Sequence, residues 1–277
     1  MIRRIVLACL CFLFICVAAL ADDAPTNLTQ VSDDVLLQFK TADFDASVTI
    51  HQTITDDFRK WAKENKFTLS DSTNYQKTRF ARLGNHTFSE VSTFNKNDKL
   101  IYVYRAALQW HVDKATGVKY GVLTEYRHSP TSKSPGSGLI EVVGADFTPF
   151  EEMARQAVYR HVLYDGVKGV VYAAPETKDI LEVRNSEPAT KAVYSDYQTV
   201  DGRRIAKHMT YQMPTPDSNK PAKTVYTDLV AFKSKPDPSI FLNIIPPGAE
   251  VRDSIKKIEY IQPKPGETIV PLENCCS

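Results

Sequence analysis

The alternation of apolar and polar residues after residue 22 predicts a protein built mostly of β-strands. Val118–Tyr126 alternates in the manner of an antiparallel strand with one solvated face. Val48–Ile54 is rich in β-branched residues, which favour strands. Gln76–Tyr126 is β-rich throughout and is interrupted by turn residues at Gly84–Asn85 and Asn95–Asp98. This pattern predicts consecutive antiparallel strands.

The last third of the chain has the pattern of a meander. Ala189–Val200 and Arg204–Met213 flank Asp201–Gly202, a dipeptide that tolerates the positive φ angles of a tight hairpin turn. Pro214–Pro221 is predicted to be a longer connection, after which Thr224–Lys233 returns as a strand. With no internal repeat and no break in composition, residues 22–277 are predicted to form a single β-rich domain.

Three helices are predicted besides these strands. The first is capped by Ser32, and the second starts at Thr55, where Phe58, Trp61 and Ala62 share one face. The third starts at the capping box Thr148–Glu151, ends at Asp165–Gly166, and carries an apolar stripe. Core packing explains that stripe, although it could also cover a ligand cavity. A loop rich in serine, proline and glycine, predicted to be mobile, precedes this helix at Ser129–Gly138.

The N-terminus has the pattern of a cleavable signal peptide covering residues 1–21. Arg3 and Arg4 precede the apolar run Ile5–Leu20, which is shorter than the ~20 residues of a membrane-spanning helix. The run ends in Ala19–Ala21, a small-x-small cleavage pattern, and Asp22 follows. We therefore predict a periplasmic or secreted protein with no spanning segment after cleavage. An uncleaved anchor and a lipidated cysteine are the alternatives.

Cleavage would change the charge and the cysteine content. Without Arg3 and Arg4 the chain has 32 basic and 33 acidic residues, a balance that gives no argument for nucleic acid or an anionic membrane surface as partner. Three of the five cysteines would leave, so that only Cys275 and Cys276 remain. This pair could form a vicinal bridge, pair between chains, or belong to an exposed tail.

Motifs for catalysis and metal binding are missing from the sequence. The six histidines have no His or Cys partner at metal-ligand spacing, and there is no Gly-x-Ser-x-Gly elbow or phosphate-binding glycine loop. Ser137 could be drawn into a triad, but no motif constrains its partners. The adjacent carboxylates Glu151 and Glu152 lie at the predicted start of a helix, where a favourable interaction with the helix dipole explains them. The sequence therefore predicts a non-enzymatic protein without cofactor or metal.

One segment, Leu100–Trp110, is apolar and aromatic on both of its faces. A strand with one solvated face should alternate more cleanly. Two arrangements suit it: a helix covers one face and other protein the second, or the sheet curls around an apolar ligand.

Several segments of the chain resemble the periplasmic lipoprotein-carrier proteins of the LolA/LolB type. The C-terminal segments resemble the final strands and tail of that family, and the N-terminal segments resemble its opening helix and strand. Ala206 stands where a proline is usual in the family. The matching segments are Val35–Phe39, Phe44–Val48, Tyr194–Tyr197, Val200–Ile205, Thr224–Lys233, Asp237–Phe241, Asn243–Asp253 and Tyr260.

The resemblance implies an α+β, mainly antiparallel fold: a single curved, unclosed β-barrel-like sheet with a few helices covering its concave face. It implies that the protein binds or carries an apolar ligand, such as the acyl chains of lipoproteins or lipids. The alternative that it implies is a regulatory or structural envelope module that contacts another envelope protein. The residues expected to line the cavity are Tyr102, Tyr104, Trp110, Phe150 and Met153.

Overall fold

The structure, a computed structural model, describes residues 29–30, 42–66, 75–117, 119–144, 170–186, 189–215 and 218–272. The predicted signal peptide, the predicted helices that start at Ser32 and Thr148, and the terminal cysteine pair lie outside these residues. Phe150 and Met153, two of the five expected cavity residues, also lie outside them.

The described residues form one sheet of fourteen strands. One α-helix, α1 (Asp56–Glu64), and one 3-10 helix (Pro238–Phe241) are described with it. The strands are β1 Thr29–Gln30, β2 Phe44–Ile54, β3 Tyr75–Leu83, β4 His86–Phe94, β5 Leu100–Val112, β6 Lys119–His128, β7 Ser137–Val143, β8 Val170–Ala173, β9 Ile180–Ser186, β10 Ala189–Val200, β11 Arg203–Thr215, β12 Ser218–Lys233, β13 Glu250–Asp253 and β14 Ile258–Ile261.

The strand order shows how the sheet is assembled. It runs β1-β8-β9-β10-β11-β12-β2-β3-β4-β5-β6-β7-β13-β14, and every described neighbour pair is antiparallel except β7 with β13. Two meanders, β2–β7 and β8–β12, therefore meet where β12 pairs with β2. The fold class predicted from the sequence is confirmed: the protein is mainly antiparallel β, with a single curved, unclosed sheet.

Helix α1 begins where the sequence predicts it. The Thr55 side chain accepts a hydrogen bond from the Phe58 amide at 3.3 Å, which satisfies one of the free N–H groups of the first turn. Ala62 is buried on the apolar side of the helix, which contacts β12.

The hairpin between β10 and β11 also forms as predicted. Asp201 and Gly202 have φ values of 51° and 77°, which are the positive angles of a tight two-residue turn. The Asp201 carboxylate accepts hydrogen bonds from the amide and hydroxyl of Ser234, at 3.0 and 2.9 Å. The turn is thereby tied to the end of β12.

The predicted connection Pro214–Pro221 is wrong. Strand β11 continues to Thr215 and β12 begins at Ser218, so that only residues 216 and 217 separate them. Pro214 lies opposite Pro221, with register shifts on both sides of Pro214. Such irregularities accommodate proline in a strand because the ladder does not need its missing N–H there.

The loop predicted over Ser129–Gly138 ends earlier than expected, because Ser137 and Gly138 already belong to β7. A Cβ atom on Gly138 would come within 2.7 Å of the Ile245 side chain. Glycine is needed at this strand position because the C-terminal segment packs directly against its backbone.

Candidate functional site

The register of the central strands defines two faces of the sheet. Phe80, Ser89, Ala106 and Glu125 lie directly opposite one another on β3, β4, β5 and β6, so their side chains share one side. We call this side the front face. The residues adjacent to them in sequence point to the other side, which we call the back face.

The back face of the central strands is covered by the C-terminal segment, residues 238–272. Ile244 and Ile245 are buried in one cluster with Phe88, Ala107 and Tyr126 of the back face. The C-terminal segment thus covers one of the two apolar faces of β5. The covering part is the 3-10 helix together with the chain that follows it, a role that the sequence did not predict.

The front face carries two separate apolar clusters. The first, the phenylalanine cluster, is centred on Phe44, whose ring lies 5.5 Å from Phe80, edge to face, and 6.4 Å from Phe232, stacked. Aromatic pairs at these separations add to the stability gained by burial. The other buried members of this cluster are Ala46, Val48 and Ile205.

The second front-face cluster, the tyrosine cluster, lies on strands β4–β7. Its buried members are Tyr104, Ala106, Leu108 and Leu123, and Val91, Trp110 and Val143 pack against it. All of these residues come from the sheet itself. The cluster is therefore built from side chains of neighbouring strands, and its four buried members are at most 9% exposed.

Three of the five expected cavity residues lie on the same face of β5 as this cluster. Tyr102, Tyr104 and Trp110 occupy alternate positions of β5 and point to the front face. Their exposure is graded: Tyr102 is 38% exposed, Trp110 is partly buried and Tyr104 is 7% exposed.

An ion pair with a nearly buried carboxylate lies beside the tyrosine cluster. The Tyr104 hydroxyl donates a hydrogen bond to the Glu125 carboxylate, which also accepts one from Arg127 Nη2 at 2.9 Å. The Glu125 side chain is only 12% exposed. Burial, followed by the hydrogen bond to Glu125, raises the pKa of Tyr104 above its ordinary value. The tyrosine therefore remains a neutral hydrogen-bond donor at neutral pH.

Glu125 and Arg127 could not be found as site residues from the sequence. In the predicted alternation of Val118–Tyr126, Glu125 belongs to the polar side, which suggests solvent. Glu125 is instead nearly buried, because Arg127 and Tyr104 compensate its charge. A carboxylate two residues before an arginine on one strand was the available signal, and it is a weak one.

Three hydroxyl groups form a further polar feature of the front face. Thr78, Thr87 and Ser89 have buried hydroxyl oxygens, for which the structure shows no hydrogen-bond partner in the described part of the chain. Thr78 is 2% exposed and Ser89 is fully buried. Most buried polar side-chain atoms in proteins do have a partner, so three exceptions on two neighbouring strands are unusual.

The described segments contain neither a metal-binding group of side chains nor a helix that could span a membrane. Within them, no group of three or more His, Cys, Asp or Glu side chains is arranged to hold a metal ion. No helix in the same segments combines the length and the apolar character that crossing a membrane would require.

Comparison with known proteins finds a structural likeness and no match of sequence. No protein-family model matches the sequence, and no curated protein matches it. Among solved structures, the chain is similar to a LolA superfamily protein from Nitrosomonas europaea. The identity is 8%, the TM-score is 0.36, and the match covers 76% of this chain and 96% of the other. At this level, the likeness transfers no residue role to this chain.

Proposed function

We propose that this protein is an exported, non-enzymatic envelope protein that binds or carries an apolar ligand on the front face of its sheet. The ligand class is that of acyl chains, such as those of lipids or lipoproteins. Strand β5 carries the proposal because both of its faces are apolar, whereas the described C-terminal segment covers only the back face. Burial of an acyl chain contributes about 0.8 kcal/mol per CH₂, so such a site needs no catalytic group.

The location of the two tryptophans offers a direct test. Trp110 lies on the front face beside the tyrosine cluster, and Trp61 lies on α1; the chain has no other tryptophan. In a Trp61→Phe variant, titration with monopalmitoylglycerol is expected to shift Trp110 emission to the blue, because the acyl chain displaces water from the ring. The Trp110→Phe variant, which reports from Trp61, should show no shift. Equal shifts in the two variants, or none in either, would contradict a front-face site.

A matched pair of variants on β5 tests the face independently. Tyr102 points to the front face, and His111 is exposed on the back. We expect Tyr102→Ala to weaken binding of the apolar dye N-phenyl-1-naphthylamine and His111→Ala to leave it unchanged. Loss of dye binding in both variants would indicate general destabilisation instead of a site.

A second candidate function, contact with another envelope protein, is favoured by one observation on the back face. A cleft of about 310 Å³ lies between the 3-10 helix and strands β4–β6, lined in part by His86, Phe241 and Val122. Beside it, Leu242 is 66% and Val142 is 59% exposed. A photo-crosslinker at position 242 should capture a defined partner in envelope extracts, and one at the exposed Lys114 should not. Equal labelling from both positions would oppose this function.

A further inference from the structure

We propose that Thr78, Thr87 and Ser89 form a polar subsite that recognises the ester carbonyl of an acyl ligand. This inference rests on the proposed function and adds the chemistry of the ligand to it. An alkyl chain makes no use of a hydroxyl group, whereas an ester supplies carbonyl oxygens that accept hydrogen bonds. The ligand class is therefore the neutral fatty-acyl ester.

The three residues lie in a row on one face of β3 and β4, with Ser89 in the middle. Thr87 and Ser89 are two residues apart on β4, about 7 Å along the strand, and point to the same face. Thr78 lies on β3 opposite Val91, diagonal to Ser89, at a similar separation. An ester group placed between Thr78 and Ser89 offers one oxygen to each of these two hydroxyls, and Thr87 lies about 7 Å further along β4.

The hydroxyls also lie where two apolar surfaces meet. On one side Ser89 pairs with Phe80 of the phenylalanine cluster, and on the other with Ala106 of the tyrosine cluster. Ala106 is fully buried, and its small side chain adds little bulk beside the hydroxyls. An acyl ester bound here would place its carbonyl at the hydroxyls and its chain on either cluster.

The three subsite side chains are themselves uncharged. Arg82 lies opposite Thr87, and Glu125, which lies opposite Ala106, is paired with Arg127. A hydroxyl group donates a hydrogen bond to a carbonyl oxygen without contributing a formal charge, so the three side chains match a neutral ester.

A pair of ligands that differ in one carbonyl tests the inference. Delipidated protein is loaded with N-phenyl-1-naphthylamine, and the dye is displaced with monopalmitoylglycerol, an ester, or with 1-O-hexadecylglycerol, the corresponding ether. We expect wild-type protein to prefer the ester by about fivefold or more, the effect of one neutral hydrogen bond. Fivefold corresponds to about 1 kcal/mol at 1.4 kcal/mol per tenfold.

Two variants assign the preference to the hydroxyls. Ser89→Ala and Thr78→Val should bring the affinities for ester and ether together, because each removes a donor and little volume. Both variants should unfold at or above the wild-type temperature without ligand, since each removes an unpartnered buried hydroxyl. Ser92→Ala, on the back face of the same strand, is the matched control and should keep the ester preference.

The outcomes separate this inference from the proposed function. If wild type binds ester and ether equally, or if the ester preference persists in Ser89→Ala and Thr78→Val, the hydroxyl subsite is refuted while apolar binding stands. If neither ligand displaces the dye and the dye itself does not bind, the proposed function fails and the subsite fails with it.

Discussion

Two arginine–carboxylate pairs on the back face allow a matched test of how burial sets the value of an ion pair. Arg79 binds the Asp45 carboxylate through two hydrogen bonds of 2.8 and 2.7 Å, and Arg105 binds Glu90. Each guanidinium also lies over an aromatic ring, at 6.0 Å from Phe88 for Arg79 and at 5.9 Å from Tyr126 for Arg105. The perturbation is Arg79→Ala, with Arg105→Ala as its control.

The expected difference follows from the exposure of the two carboxylates. The Asp45 side chain is 7% exposed and that of Glu90 is 30% exposed. Removing the partner of a buried charge costs about 3–5 kcal/mol. We expect about 2–3 kcal/mol for Arg79→Ala, because Arg79 is itself 36% exposed and Lys233 lies opposite Asp45. Arg105→Ala should cost about 0.2–1 kcal/mol, the range of exposed pairs.

The assay is urea unfolding of both variants, followed by far-UV circular dichroism, together with thermal melts. A difference of about 2 kcal/mol corresponds to about 4–8 °C in Tm for a chain of this length. Each substitution also removes one cation–π interaction of similar geometry, so this effect cancels in the comparison. If Arg105→Ala destabilised the protein as much as Arg79→Ala, burial of Asp45 would not be the cause and the reasoning would be refuted.

Three further predictions concern the front face, high pH and low pH. Phe44→Ala should lower the free energy of unfolding by about 3–5 kcal/mol, because the ring is fully buried against Phe80; a urea midpoint near that of wild type would contradict this. Above about pH 10 the unfolded chain loses the Tyr104 proton while the folded chain keeps it, so stability should fall as pH rises. Between pH 8 and 11, the urea midpoint of a Tyr104→Phe variant should therefore fall less than that of wild type. Hydrogen bonds from the Ser234 amide, and to a smaller extent from the Ser234 hydroxyl, lower the pKa of Asp201 below its ordinary value of 3.8. The ionised carboxylate therefore stabilises the folded protein above that pH, and this stabilisation is lost as the pH falls through the lower pKa of the folded state. Asparagine tolerates the same turn, so Asp201→Asn should make Tm fall less steeply as the pH is lowered. An unchanged fall of Tm at acid pH would contradict this role of Asp201.

Local signals in the sequence predicted local structure well. The Asp201–Gly202 turn and the start of α1 at Thr55 each depend on two or three neighbouring residues, and both are found as expected. The breaks at Gly84–Asn85 and Asn95–Asp98 also separate the predicted strands. The prediction around Pro214 was wrong, because proline is an ambiguous breaker: a register shift keeps it inside a strand.

Features that depend on distant residues could not be predicted in the same way. Leu100–Trp110 was correctly predicted to be apolar on both faces, yet the segment that covers its back face lies more than a hundred residues later, at Ile244 and Ile245. The placement of Tyr102, Tyr104 and Trp110 on one face follows from strand alternation alone. The hydroxyls of Thr78, Thr87 and Ser89 could be placed on this face only from the register of β3 with β4, which no local pattern encodes.

The junction between the two meanders has a consequence for how the chain reaches its native state. Lys223 on β12 pairs with Ile54 on β2, 169 positions earlier in the sequence. Until β12 has been synthesised, the eleven residues of β2 present a free edge that can pair with a neighbouring chain. Closing so distant a pairing is slow compared with forming local hairpins. The molecule is therefore most exposed to aggregation during synthesis, and refolding yield should fall with protein concentration even where the native state is stable.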